Sequence, residues 1–227
     1  MKRVKSLSIL MLLIGLTDCS QKPAAPPIAK VEPRTTVILG DTLVDNYFWL
    51  REKTNPAVIQ YLEDENAYTE SVMKPTRQMQ KKLYREMLKR IKETDMSVPV
   101  KIDSFYYYTR TVKGSQYPIY CRKKGDLSAA EEILLDQNVL AAGHTYCEIG
   151  EFKISPDQNL LAFAIDFNGS EKHMLCIKDL NTGRMLPDTL RDVYYGLEWA
   201  NDNQTVFYTT LDTIMRPDKL WRHRLGE

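Results

Sequence analysis

"ISPDQNLLAFAID", residues 154–166, and "WANDNQTVFYTTLD", residues 199–212, are two copies of one pattern. In each copy a turn that contains an aspartate, Asp157 or Asp202, leads into a run of apolar and β-branched residues. The two aspartates are 45 positions apart, and a four-stranded blade of a β-propeller repeats every 40 to 50 residues or so. Each copy is followed by a second short β-rich run, "LCIKDLNTG" or "LWRHRLG". The repeat predicts consecutive propeller blades.

A third unit of the same kind precedes these two copies. The runs "FYYYTRTV", "YPIYCRKK" and "EEILLD" are rich in β-forming residues and are separated by turn residues, and no helical pattern interrupts the chain after Met96. We therefore predict a mostly β protein with about three propeller blades in residues 96–227. Propellers close with typically 4 to 8 blades, so we expect further sequence or another chain to complete a ring.

A helical arm, predicted for residues 37–95, comes before the blades. Asn55-Pro56 is a cap residue followed by proline, and it predicts a helix over residues 56–73. Pro75 opens the second predicted helix, α2. Its apolar residues form one stripe, the α2 stripe: Met79, Leu83, Met87, Leu88 and Ile91. Basic residues fill the other faces, but acidic residues interrupt them and the formal net charge is +1. We interpret them as a solvated face, and we expect no nucleic-acid partner.

The first nineteen residues have the layout of an export signal, with three basic residues before an apolar run from Leu7 to Leu16. "LTDC" then resembles the lipobox of bacterial lipoproteins, which predicts lipidation of Cys19 and a membrane partner. Asp18 departs from the small residue that is usual there, so secretion without a lipid is the alternative. Residues 20–36 are rich in proline and predict an extended tether. The protein is thus expected to be exported, as a periplasmic or outer-membrane lipoprotein of a bacterium.

Beyond the tether three cysteines remain, Cys121, Cys147 and Cys176. An odd number without CxxC spacing indicates neither a zinc site nor a disulfide framework, and no other metal or cofactor motif is present. We interpret the three cysteines as small buried apolar residues.

The stretch "DNYFWLRE" places Tyr47, Phe48 and Trp49 side by side. Together with "YLEDENAYTE", "SVPV", "YYYTR", "YPIYCRKKG", "ISPD", "KDLNTG" and "WRHRLG", it resembles the N-terminal part of the prolyl oligopeptidase family of serine peptidases, in its oligopeptidase B branch. The resemblance runs from about Arg34 to Glu227. It implies a seven-bladed propeller and an α/β-hydrolase domain that the sequence does not encode. Tyr47, Phe48 and Trp49 would then be packing anchors for that domain; a local core with the two helices is the alternative.

The family's chemistry needs a nucleophilic serine in a G-x-S-x-G turn, followed by aspartate and histidine. None of the ten glycines has a serine two positions later. The histidines His144, His173 and His223 lie in contexts that fit surface or blade positions. Glu63, Asp64 and Glu65 are consecutive on a predicted helix and point in different directions, so they do not form a pocket for a basic side chain. We assign no catalytic residue to this chain.

Two functions follow from these observations. The first is the N-terminal, propeller-bearing part of a secreted serine oligopeptidase, which would cleave short peptides after Arg or Lys and use the propeller to exclude folded proteins by size. Its partners would be the hydrolase domain and a peptide substrate. The second is a membrane-tethered propeller module that binds peptides and performs no catalysis.

Overall fold

The computed structural model describes residues 25–227, so the export signal and Cys19 lie outside the described residues. The chain divides into two compact units, with the boundary between Arg90 and Ile91. We call them the arm unit and the propeller unit, and each is described by itself. The helices and strands are as follows: β1 (Arg34–Ile38), β2 (Asp41–Asp45), α1 (Pro56–Met73), α2 (Arg77–Leu88), β3 (Val100–Ile102), β4 (Phe105–Arg110), β5 (Ile119–Lys124), β6 (Glu132–Asp136), α3 (Gln137–Leu140), β7 (Glu148–Ile154), β8 (Leu160–Asp166), β9 (His173–Asp179), β10 (Met185–Trp199), β11 (Thr205–Leu211) and β12 (Pro217–Arg224).

The arm unit begins with a hairpin and continues with two helices. β1 pairs with β2 in antiparallel register across a turn of Leu39 and Gly40, which both have positive φ, as the tightest hairpin turns require. β1 begins inside the range predicted for the tether. α1 begins at Pro56 as predicted, and the Asn55 side chain caps it by accepting a 2.9 Å hydrogen bond from the backbone N–H of Ala57.

The second helix starts two residues later than the proline that signals it. Lys74–Thr76 form a turn of 3₁₀ helix with Pro75 near its start, and α2 follows from Arg77. Proline lacks the N–H that an interior helical position would donate, so the chain closes one helix and opens the next at this point.

The first blade is an antiparallel meander of four strands in the order β3-β4-β5-β6. The second blade consists of β7, β8, β9 and the first part of β10, and the third of the last part of β10 with β11 and β12. β10 changes partner at Val193, which pairs with His173 of β9 and with Thr210 of β11. The prediction of a mostly β, partial propeller of about three blades is confirmed.

A bend within β10 makes this change of partner possible. Asp192 adopts a left-handed backbone conformation (φ 56°) and the pairing register shifts on both sides of it. Such bulges increase the local twist of a strand. One continuous strand therefore serves as the outer strand of the second blade and the inner strand of the third.

The two copies of the repeat form equivalent turns. Asp157 accepts hydrogen bonds from the Ser155 hydroxyl (2.6 Å) and the Asn159 N–H (3.1 Å). Asp202 accepts from the backbone N–H groups two and three residues later, at 2.9 Å each. The next residue in each turn, Gln158 or Asn203, has a left-handed conformation. The aspartates therefore fix the turns that start each second strand.

The apolar core lies in the seams between blades, because the second blade is covered on both faces. Leu161, Phe163 and Ile165 of β8 pack towards the first blade, with Leu134 and Leu135. Ala162 of β8 packs on the other side in a cluster that extends to the third blade and contains Leu175, Ile177, Val193, Leu197 and Val206. Cys121, Cys147 and Cys176 are free and buried, which confirms their interpretation as small core residues.

Candidate functional site

Trp49 is held by contacts within the arm unit. It lies in a turn of 3₁₀ helix, Phe48–Arg51, between the hairpin and α1. Its indole Nε1 donates a 2.9 Å hydrogen bond to the carbonyl oxygen of Lys30, and its ring meets Tyr61 of α1 edge to face, with centroids 6.4 Å apart. Trp49 thus joins the tether to α1.

The two preceding aromatic residues have different surroundings. Phe48 contacts two guanidinium groups, with that of Arg34 3.6 Å and that of Arg51 4.6 Å from its ring centre. These are distances of cation–π contacts. Tyr47 keeps 47% of its surface exposed. Local contacts therefore engage Phe48 and Trp49, and the packing of all three residues on a hydrolase domain stays a prediction.

The α2 stripe is exposed along its whole length. Met79, Leu83 and Met87 are each about half exposed, and Ile91 is 62% exposed. A stripe of this kind normally faces a core. The residues of the stripe that lie on α2 are therefore a candidate docking surface of the arm unit. Ile91 lies beyond the end of α2, in the propeller unit.

The turns of successive blades are linked by side chains. Gln158 of the second blade donates to Asp103 of the first blade (3.2 Å), and the Asp157 N–H donates to Asn203 of the third (2.9 Å). Asp103, Gln158 and Asn203 all have left-handed backbones. Each blade thus presents an equivalent turn residue, and these side chains form a series of contacts from blade to blade.

Arg122 lies in the seam between the first two blades and contacts residues of both. It is 4% exposed, stacks over Phe105, and makes two hydrogen bonds to Glu132 at 2.7 and 2.9 Å. Its third nitrogen donates to the carbonyl oxygen of Gln158 at 2.6 Å. Burial opposes the charge, but the hydrogen bonds to Glu132 and Tyr107 outweigh it and raise the pKa of Arg122. The guanidinium stays charged and joins the two blades.

The inner strands of the second and third blades form a wall of mainly acidic side chains. Glu151 accepts a 2.8 Å hydrogen bond from the Gly196 N–H, and Lys153 forms an ion pair with Glu198. Glu148 accepts from the Tyr146 hydroxyl, which raises the pKa of Tyr146 to about 12. Three glutamates face one lysine, so this wall favours a cationic partner.

The histidines do not form a catalytic pair with a nucleophile. His144 stacks on Phe167, and His173 is buried without a hydrogen-bond partner in the described chain. His223 lies 2.8 Å from Asp188 across the seam of the last two blades. Burial opposes the Asp188 charge, yet the Gly226 N–H and His223 lower the pKa of Asp188. No serine, threonine or cysteine of residues 25–227 hydrogen-bonds to any of the three rings.

The acidic run of α1 is also divided among separate partners. Asp64 accepts a hydrogen bond from Gln60 and Glu65 accepts one from Tyr61. Asp64 and Glu65 therefore make local contacts within α1.

Over the described chain there is no group of three potential metal ligands. No helix in this part of the protein has the length and hydropathy needed to cross a bilayer.

The role of Arg122 in the seam was not predicted from the sequence, because the basic run "CRKKG" is typical of a solvent-exposed segment. The contacts between turns had one signal in the sequence: a polar residue, Gln158 or Asn203, follows the aspartate of each turn.

Comparisons with known proteins agree with this architecture. A family model described as "Prolyl oligopeptidase, N-terminal beta-propeller domain" matches residues 26–227. Protease 2 of Moraxella lacunata is 41% identical over 207 residues, and the match covers 88% of this chain and 30% of that protein. Dipeptidyl aminopeptidase BI of Pseudoxanthomonas mexicana is 37% identical over 216 residues, and the match covers 87% of this chain and 30% of that protein.

Among solved structures, oligopeptidase B from Leishmania major matches with a TM-score of 0.82 and 32% identity. That match covers 90% of this chain and 31% of the oligopeptidase. The chain thus spans less than a third of the length of these relatives, and the aligned part is their propeller-bearing region.

Proposed function

The chain belongs to the prolyl oligopeptidase family, and from this we propose that it is the propeller-bearing N-terminal part of a serine oligopeptidase similar to oligopeptidase B. The observation that carries the proposal is the match itself: a helical arm and about three blades align with 30% of Protease 2, in order. The nucleophile, the aspartate and the histidine would lie in an α/β-hydrolase domain, which is the first partner of this chain.

The propeller acts in this proposal as a gate that excludes folded proteins. Support comes from the seams, which are filled by side chains such as Phe163 and Leu197 that are almost fully buried. Filled seams leave no route for a peptide between neighbouring blades. A substrate then reaches the hydrolase domain only through openings of the ring or between the domains, and such openings admit short or unfolded peptides.

The preferred substrate is a peptide cleaved after Arg or Lys. The similarity to Protease 2 and to oligopeptidase B supports this preference, and the wall of Glu148, Glu151 and Glu198 would attract basic peptides. Release of dipeptides from an N-terminus is the competing specificity, because a dipeptidyl aminopeptidase is almost as similar.

The test uses the native protein, captured from its source cells through an antibody against the arm. We expect a fluorophosphonate probe to label a serine and the protein to cleave a blocked Arg or Lys substrate. A blocked proline substrate and a free dipeptide substrate test the other specificities. The same basic sequence is offered as a short peptide and inside a folded protein. Preference for proline, or equal cleavage of the folded form, would contradict the proposal; the 227-residue chain alone should be inactive.

The arm docks on the hydrolase domain in this proposal through Tyr47 and the α2 stripe. The exposed apolar area supports this role, because exposed stripes of this length usually mark interfaces. Phe48 and Trp49 would contribute through whatever surface their local contacts leave free.

The protein is exported and anchored through Cys19 in this proposal. The export signal and the lipobox-like "LTDC" support it. Metabolic labelling with an alkyne fatty acid tests it: the wild-type protein should carry the label and Cys19→Ser should not. Label on neither protein, with both secreted, would favour export without a lipid.

A further inference from the structure

The tether contains a short extended segment that two hydrogen bonds hold to the rest of the arm unit. The carbonyl oxygen of Lys30 accepts the 2.9 Å hydrogen bond from the Trp49 indole, and two residues later the Glu32 N–H donates a 2.9 Å hydrogen bond to the Asn46 carbonyl. Both contacts lie within the arm unit. From them we propose that the Lys30–Val31 peptide bond is a proteolytic processing site whose exposure Trp49 controls.

The side chain of Lys30 is available to a protease while its carbonyl group is not. The Lys30 side chain is 76% exposed and makes only a surface ion pair with Glu32. A serine protease that cleaves after lysine must place the carbonyl oxygen of the scissile bond in its oxyanion hole. In this structure the carbonyl oxygen of Lys30 already accepts a hydrogen bond from the Trp49 indole. The bond is therefore protected while the segment is docked and open to cleavage when the segment detaches.

The surroundings of the segment fit a docked proline-rich strand. A cleft of about 460 Å³ has Pro27 and Ile28 of the segment and the aromatic residues Trp49 and Tyr61 in its lining. Proline-rich strands dock on grooves walled by aromatic residues because they lose little conformational entropy on binding. Ile28 remains 90% exposed, so the contact is small and detaches without unfolding the helices.

Among the basic residues of the tether, Lys30 fits such a site best. Residues 20–33 contain two lysines, Lys22 and Lys30, and no arginine. Lys22 is followed by Pro23, and a bond to the ring nitrogen of proline resists proteases of this class. Arg34, near the end of the tether, is held in β1 by pairing with Asp45.

Cleavage at Lys30 would separate the folded protein from its N-terminus. Water adds across the amide bond, so that Lys30 gains a carboxylate, Val31 gains a free amine, and no other reactant is needed. Every residue from Val31 onward leaves with the arm. If Cys19 carries a lipid, which rests on the proposed function, the cut releases the protein from the membrane.

The experiment is limited proteolysis of the 227-residue chain by trypsin, with the new N-terminus at Val31 followed by mass spectrometry. Trp49→Phe keeps the ring and removes the donor, and we expect cleavage after Lys30 to become about tenfold faster as the open population rises. Trp221→Phe is the matched control, because Trp221 also donates a hydrogen bond and is partly exposed, but lies on β12. It should leave the rate unchanged.

A second variant keeps the proposal testable if Trp49→Phe unfolds the arm. Pro27→Gly changes only the tether, and it should also speed cleavage after Lys30 while cuts within α1 and α2 keep their rates. Equal rates for wild type and both variants would overturn the proposal, as would a rise at all sites in both. An added trypsin makes the result independent of lipidation and of any peptidase activity of this family.

Discussion

Replacing Arg122 with methionine should weaken the seam between the first two blades. Methionine keeps an unbranched apolar stem over the Phe105 ring but cannot donate a hydrogen bond. The substitution removes the two hydrogen bonds to Glu132, the longer one to the Tyr107 hydroxyl (3.4 Å) and the one to the Gln158 carbonyl oxygen in the second blade. It is therefore a test of polar contacts in the seam rather than of packing volume.

The expected cost follows from what is left behind. Breaking a fully buried ion pair costs about 3–5 kcal/mol, but the Glu132 side chain is 40% exposed and regains water. The Gln158 carbonyl oxygen loses a charged donor, which costs about 1–3 kcal/mol when no water replaces it. We expect a loss of about 2–3 kcal/mol in the free energy of unfolding of the propeller unit.

Urea denaturation followed by tryptophan fluorescence measures this loss. With a slope near 2 kcal/mol/M the midpoint should fall by about 1 M. Arg222→Met is the matched control, because Arg222 is an exposed arginine on β12, and its midpoint should stay within experimental error. A shift of less than about 0.2 M for Arg122→Met would refute the view that this guanidinium holds the two blades together.

Three further predictions concern separate parts of the molecule. In Gly150→Ala the new methyl group would lie only 2.9 Å from two ring carbons of His173, so thermal unfolding should show a loss of about 1–3 kcal/mol; an unchanged melting temperature would show that the ring moves freely. Burial of Asp157 opposes its charge, but hydrogen bonds in its turn lower its pKa; its stabilising effect is complete above the unfolded value of about 4 and disappears as the pH falls through the folded value. Asp157→Asn should therefore lose stability at neutral pH and show a smaller further loss on acidification, and urea midpoints at pH 7 and 3 check this against wild type. The isolated chain should bind the dye ANS through the α2 stripe, and Met87→Glu, at a position 58% exposed, should reduce the dye signal without changing the melt; a lower melting temperature would mean that Met87 is part of a local core.

The elements that were predictable are those with local signals. The start of α1 depends on Asn55 and Pro56, which are adjacent in sequence. The blade period depends on two turns in which the aspartate carboxylates accept hydrogen bonds from residues two or three positions away. Such signals do not require knowledge of distant contacts. The first blade was predicted from its β-rich runs, and the cysteines were interpreted from their number and spacing.

The features that escaped prediction are set by contacts between distant residues. Arg122 is followed by Lys123 and Lys124, and nothing in the sequence of this run shows which of the three basic residues faces the second blade. The sequence of β10 did not predict that this strand changes partner. The bend at Asp192 depends on pairing with both β9 and β11. The hydrogen bond from the Trp49 indole to the carbonyl oxygen of Lys30 was not predicted, because the two residues are 19 positions apart.

The central claim is that this chain works as the propeller-bearing part of a longer serine peptidase. The most direct test is the intact mass of the native protein, captured from source cells with an antibody against residues 55–91. The account predicts a mass several-fold above the 26.3 kDa of this chain, with a serine that reacts with a fluorophosphonate. A native mass close to that of the chain without its signal, and no reactive serine, would contradict it.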